Sequence, residues 1–154
     1  MKSSHKTFWY ECDVRWESNR KGHICSAGKP EISISSPPEF KGEAGIWTPE
    51  DLFVAALNAC TMTTFLAYAQ HKNLPLVSYE SDARGEVEYL DGKFRFTKIT
   101  IKPHIEVQSE EAISQARQTL DDAHRNCMIA NSTTAEVEII PQIRASGASP
   151  VEGQ

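Results

Sequence analysis

The sequence predicts an α+β fold, and three observations carry the prediction. Short N-terminal segments alternate apolar and polar residues with the period of a strand, a long uncharged segment follows a strong helix-start signal, and a glycine hairpin precedes an amphipathic helix and a last strand. With 154 residues, 40% of them hydrophobic, the chain can bury a core of its own. One domain over residues 1–154 is expected, with mobile tails at about 1–6 and 144–154, and no internal repeat is evident.

In TFWYECDVRWE, residues 7–17, Phe8, Tyr10, Cys12, Val14 and Trp16 alternate with Trp9, Glu11, Asp13 and Arg15. This is the period of a strand with one mostly buried face, which turns Cys12 inward with the aromatics. SNRKG at 18–22 reads as a turn, and HICSA and PEISIS give two further strands joined at Gly28, Lys29 and Pro30, an antiparallel meander. Residues 36–45 hold two prolines and two glycines without periodicity and read as a loop.

A helix starts next. Thr48 is a good N-cap, Pro49 fits the first helical position, and Asp51 completes a capping box while it and Glu50 favour the helix dipole. From Leu52 to about His71 the residues are apolar or small on every face, as in a central helix buried all round, and Asn73, Leu74 and Pro75 end it. So short a chain is poorly able to cover such a helix, so a second subunit is expected to cap part of it.

Residues 79–89 and 93–107 form a long hairpin across Asp91 and Gly92. Phe94 and Phe96 fall on the opposite parity from Ile99 and Ile101, which calls for a bulge or face change near Thr97 and Lys98. Ser109 is the N-cap expected for a second helix, with Glu110 and Glu111 in its first turn and Ile113, Ala116, Leu120 and Ala123 at helical spacing. It runs to about Asn126, which puts Cys127 near its end, before MIANSTT and a closing strand, AEVEIIPQI.

A net charge of −5 argues against a broad nucleic-acid surface, which needs clustered Lys and Arg. The first residues lack the apolar run and cleavage site of a secretory signal, so a cytoplasmic location is expected. Asn58, Thr61, Thr63, Thr64 and Gln70 make the uncharged segment a poor lipid-facing helix, and no membrane span is expected.

Cys12, Cys25, Cys60 and Cys127 show no CxxC spacing, which weakens the zinc and thioredoxin-like readings. His124 with Cys127 and His23 with Cys25 are stray spacings, and no metal is expected. Cys12 and Cys25 read as structural.

Cys60 stands in AALNACTMTT, where core packing is the ordinary role of a free cysteine. Small residues before it and three threonines after it leave room for a working thiol. Such a thiol needs a cation or a helix N-terminus to stabilise its thiolate, and Cys60 lies too deep in its helix for the dipole to serve. An arginine from another element is the better activator, with Glu50 as a candidate to hold it. Glu50 and Cys60 are about 15 Å apart along the axis, so the arginine has to bridge them.

PPEF, TPEDLFVAALNAC, NRKG and HRNCMIANS together resemble the OsmC/Ohr family of thiol-dependent peroxidases, a similarity spanning about Thr7 to Ile140. The resemblance implies an intertwined α+β homodimer with antiparallel sheets packed around the central helices and sites near the subunit interface. It implies that Cys60 is the peroxidatic cysteine and Cys127 the resolving one. Arg20 in NRKG matches the arginine that assists thiolate and hydroperoxide, with Arg15 as the fallback, and Glu50 matches the glutamate that anchors it. The implied cycle reduces organic hydroperoxides through a Cys60 sulfenic acid and a Cys60–Cys127 disulfide, reopened by a dithiol such as a lipoylated protein, without metal, haem or flavin. Phe53, Leu57, Met62 and Phe65 are the expected walls of an apolar substrate pocket. The alternative is an OsmC-like binding or redox-sensing protein that keeps the fold and thiols with little turnover. Two departures bear on the subgroup: Met128 stands where many members have proline after the resolving cysteine, and Trp47 stands where asparagine is frequent.

Overall fold

The first segments of the chain form the expected meander. The computed structural model describes residues 5–147, and the chain divides into two units, Met1–Leu52 and Phe53–Gln154. In the first unit β1 (Asp13–Ser18), β2 (Lys21–Cys25) and β3 (Ile32–Ser35) make an antiparallel sheet in the order β1-β2-β3. Asn19, at φ 46°, turns the chain between β1 and β2. Pairing of Arg15 with His23 and of His23 with Ser33 makes one face polar, while Val14, Ile24 and Ile32 line up on the other.

That apolar face departs from expectation. The strand begins at Asp13 rather than near Thr7, and Phe8, Tyr10 and Cys12 lie exposed ahead of it. Val14 and Trp16 are 64% and 77% exposed, so the alternation marks a face that this chain by itself leaves uncovered.

Helix α1 (Pro49–His71) starts as its sequence dictates. Thr48 N–H donates to Asp51 Oδ2 and Asp51 N–H to Thr48 Oγ1, both at 3.0 Å, a reciprocal capping box. At the other end Asn73 takes a left-handed φ of 52°, Asn73 N–H reaches Gln70 O at 3.2 Å and Leu74 N–H reaches Ala69 O at 2.9 Å, the Schellman pattern. Leu57, Thr61, Phe65 and Ala69, four residues apart, are buried, whereas Ala56, Ala59, Thr63, Leu66, Ala67 and Gln70 are exposed. All-round burial is therefore met on one face within a single chain. By length and composition α1 could cross a bilayer, but its inward face sits in the protein core.

The second unit contains β4 (Leu76–Leu90), β5 (Lys93–Val107), α2 (Glu111–Asn126), β6 (Glu136–Ile139) and β7 (Gln142–Ala145). Asp91 and Gly92, at φ 52° and 80°, give the tight turn between β4 and β5 that two positive φ values require. The register shifts between Glu86 and Val87, leaving Thr97 unpaired as a bulge, and this switches Phe96 and Ile99 between parities.

Three boundaries differ from the sequence reading. The closing strand is two strands, β6 and β7, interrupted before Gln142 at Ile140 and Pro141, and both run parallel to β5, so the sheet is mixed. Helix α2 begins two residues after Ser109, which contributes its backbone carbonyl to Ala112 N–H rather than a side-chain cap to the helix. Of the expected C-terminal tail, Arg144 and Ala145 belong to β7 and Arg144 pairs with Glu106, which holds this stretch in place; residues 148–154, like 1–4, lie outside the described residues.

Two clusters form the core of this unit. Phe65, Ile105, Val107, Ala116 and Leu120 pack α1, β5 and α2 together, and Leu57, Ile99 and Ile101 join α1 to the sheet further along. Gly85 lets these elements close up, since a Cβ there would lie 2.6 Å from the Phe96 ring and 2.8 Å from Val54.

Candidate active site

Cys60 sits in the middle of α1 and is partly buried. The three threonines after it divide their work. Thr61 Oγ1 donates to Leu57 O at 2.9 Å and Thr63 Oγ1 to Cys60 O at 3.2 Å, the usual recourse of a hydroxyl inside a helix. Thr64, one turn on, brings its Oγ1 to 3.8 Å from Cys60 Sγ.

Cys127 is the C-cap of α2, with φ −71° and ψ 111°, and is completely buried. The apolar stripe Ala112, Ala116, Leu120 and Ala123 fixes the helix against the core, and its continuation by one turn carries Cys127 inward. There it lies near enough to Cys60, 67 positions away in sequence (127 − 60), for each thiol to act on the other's ionisation, and both are free thiols.

Burial pushes both thiols up, but they end on opposite sides of the ordinary value. For Cys60, hydrogen bonds from Cys127, the Ile129 N–H, the Thr64 hydroxyl and the Met128 N–H outweigh burial, and its thiol is lowered. For Cys127, burial is reinforced by the hydrogen bond to Cys60, which raises it further against weaker help from the Ala130 and Ile129 N–H groups. Of the two thiols Cys60 is therefore the more readily ionised, and a thiolate is the form that attacks electrophiles.

Arg20 and Glu50 belong to the first unit. Arg20 follows Asn19 in the turn, and its Nη1 donates to Phe40 O at 2.6 Å. Among the described residues no ion pair joins it to Glu50, whose Oε2 is buried without a hydrogen-bond partner in the first turn of α1. Arg15 is paired with Glu31 and also donates to Cys25 Sγ at 3.5 Å, so its charge is engaged elsewhere.

Of the expected pocket walls, Leu57 and Phe65 are fully buried core residues with no surface to offer a substrate, and Phe53 stacks on Phe96 with ring centroids 4.7 Å apart. A cavity of about 890 Å³ in the second unit, lined by Glu80, His104, Glu106, Arg117 and Arg144 among others, contains neither cysteine. No group of three His, Cys, Asp or Glu suited to a metal occurs among the described residues. What sequence reasoning missed at this site is the main chain of Met128 and Ile129. The one signal for it is negative: position 128 is not proline, so its N–H survives.

Residues 42–141 match the family described as OsmC-like protein. An uncharacterized protein of Acinetobacter baylyi is 24% identical over 133 residues, covering 84% of this chain and 90% of that one. Among solved structures, an OsmC-like protein of unknown function from Vibrio cholerae is 26% identical with a TM-score of 0.79, covering 90% of this chain and 100% of that one. An organic hydroperoxide resistance protein from Legionella pneumophila superposes with a TM-score of 0.70 at 21% identity, covering 89% of this chain and 98% of the other.

Proposed function

We propose, from the premise that this chain belongs to the OsmC-like family, that it is a cysteine peroxidase that reduces organic hydroperoxides. The observation that carries this reading is the meeting of Cys60 and Cys127, with Cys60 lowered and Cys127 raised. The name of the Legionella pneumophila structure, organic hydroperoxide resistance protein, supports the substrate class.

The Cys60 thiolate attacks the distal peroxide oxygen, the O–O bond breaks, and the alkoxide leaves as an alcohol after taking a proton. The sulfur loses two electrons and becomes S–OH, and the peroxide gains them. Cys127 sulfur then attacks Cys60 sulfur, the S–S bond forms, and the sulfenic hydroxyl leaves as water with the Cys127 proton. A dithiol, in this reading one carried on a lipoylated protein, returns two electrons by exchange. Arg20, anchored by Glu50, orients the peroxide in the same reading. A homodimer in the cytoplasm, each copy a single domain, completes it, the second copy covering the exposed stripe Ala56, Ala59, Thr63 and Ala67 of α1.

One observation favours a second reading, a binding or redox-sensing protein with little turnover: Arg20 is held by the Phe40 carbonyl while Glu50 Oε2 stays unpaired. Reduced protein mixed anaerobically with one equivalent of cumene hydroperoxide decides whether the thiols react, and repeated additions with a dithiol decide whether they turn over. Rapid loss of two thiols and sustained consumption support the peroxidase. Rapid thiol loss with a single turnover supports the sensor, and unchanged thiols contradict both.

A further inference from the structure

β7 is an edge strand. It pairs with β5 on one side, and among the described residues no strand lies on its other side. Ile140 N–H donates to Ile101 O at 2.9 Å and Ser146 N–H to Val107 O at 2.7 Å, so the even-numbered residues of this stretch turn their main chain toward β5. Strand alternation then turns the N–H and C=O of Ile143 to the open edge, where no backbone group among the described residues meets them.

Helix α2 runs beside that edge. Val107 pairs with Ala145 and α2 begins four residues beyond Val107, and its buried stripe packs back over Val107 and Ile105. Glu110 therefore lies at the Ala145 end of β7 and Arg117 toward Pro141. With Ile113 between them, at i, i+3 and i+7, the three share one helix face and line the cavity of about 890 Å³ together with Ile143. That volume is in the range of sites that hold small ligands. Arg144, also in its lining, is taken by Glu106, whereas Glu110 and Arg117 form no ion pair among the described residues.

We propose that the groove between β7 and α2 binds a short extended peptide, antiparallel to β7, with its free amine at Glu110 and its free carboxylate at Arg117. Seven residues of helix put these two about 10 Å apart along the axis, the length of about three residues of extended chain. A tripeptide is the matching size. Main-chain hydrogen bonds to Ile143 add it to the sheet as a further strand, and Ile113 and Ile143, both partly buried against the core, offer an apolar contact to its middle residue. Opposite charges at the two ends fix its direction, since the reversed peptide would set like charges together. Neither Cys60 nor Cys127 lines the groove, so this site is separate from the redox pair.

Titration calorimetry with the tripeptide alanyl-leucyl-alanine, beside the same peptide with its carboxylate amidated, tests this. The free acid is expected to bind about tenfold more tightly than the amide, as for one charge-assisted hydrogen bond. Arg117→Gln should weaken the acid about tenfold and leave the amide unchanged, so that the two bind alike. Ile143→Pro removes the outward N–H, which takes no part in pairing with β5, and should weaken both peptides more than Ile143→Ala, which keeps it. If the proline variant fails to fold, a peptide-dependent shift of the Ile143 amide resonance in the parent reads the same contact.

No saturation at about 10 mM peptide would overturn the proposal, as would equal affinity of acid and amide in the parent or an Ile143 resonance that peptide does not move. Protection of the Ile143 amide that rises with protein concentration in the absence of peptide would assign the edge to a second copy of the chain and overturn it too.

Discussion

In Phe53–Gln154, Leu57, Phe65, Ile99, Ile101 and Leu120 are at most 1% exposed, and two helices and the sheet cover one another's apolar faces. Among the described residues of Met1–Leu52 the buried ones are Gly22, Ser35 and Thr48, while Val14, Trp16 and Trp47 stand more than half exposed. The sulfurs follow the same division. Cys60 and Cys127 meet in the packed unit under main-chain donors, whereas Cys25, on the sheet, donates to Glu31 at 3.2 Å and shares Arg15 with that carboxylate. An arginine near a thiol is not enough to make a nucleophile when a carboxylate already holds its charge. A second sulfur in reach is the stronger basis.

Exchanging the two kinds of cysteine gives the largest expected effect. Cys60→Ser should reduce peroxide consumption to the buffer rate and Cys25→Ser should leave it unchanged; comparable losses in both would erase the distinction between the units. Next in size is packing. Leu57→Ala should destabilise the protein by about 2–5 kcal/mol in chemical denaturation, because its side chain is fully enclosed. Trp16→Ala should act on association instead, weakening the proposed dimer about tenfold or more in Kd by sedimentation, as for an aromatic interface anchor. An unchanged Kd would mean that the second copy does not cover this sheet face.

Smaller effects test local features on each side. Thr48→Ala removes the acceptor for Asp51 N–H and should cost about 1 kcal/mol of stability in the same denaturation series. In the second unit, the Lys72 ammonium hydrogen-bonded to Asp122 holds that carboxyl below its usual range. A lowered folded-state value favours the charged form, so this contribution is complete above the ordinary aspartate pKa of about 3.9 and fades as pH falls through the folded-state value. Carboxyl titration by NMR should show Asp122 returning toward the ordinary value in Lys72→Met, and no movement would remove Lys72 as the cause.

Much of the fold was legible where one local interaction decides the outcome. The Thr48 and Asp51 box, the Asp91–Gly92 turn and the bulge at Thr97 are each written in a few adjacent residues. What the local pattern left open was which surface covers a given apolar face. Residues 7–17 alternate like a half-buried strand, but alternation does not say whether the cover lies in the same chain, and here Val14 and Trp16 remain exposed. Likewise the helical pattern could not divide α1 into its buried and exposed sides, since both are small or apolar. At the site, Cys60 and Cys127 could be singled out by residue type and motif, whereas the N–H groups of Met128 and Ile129 could not, because nearly every residue carries one.

The central claim is that Cys60 and Cys127 form one redox pair. Reduced protein is treated with one equivalent of organic hydroperoxide, trapped by alkylation, digested without reduction and analysed by mass spectrometry. The account predicts a peptide pair linked through Cys60 and Cys127, replaced in Cys127→Ser by a Cys60 sulfenic acid that a nucleophilic probe captures. Alkylated Cys60 and Cys127 beside a disulfide that links Cys12 or Cys25, or a normal intramolecular disulfide in Cys127→Ser, would contradict it.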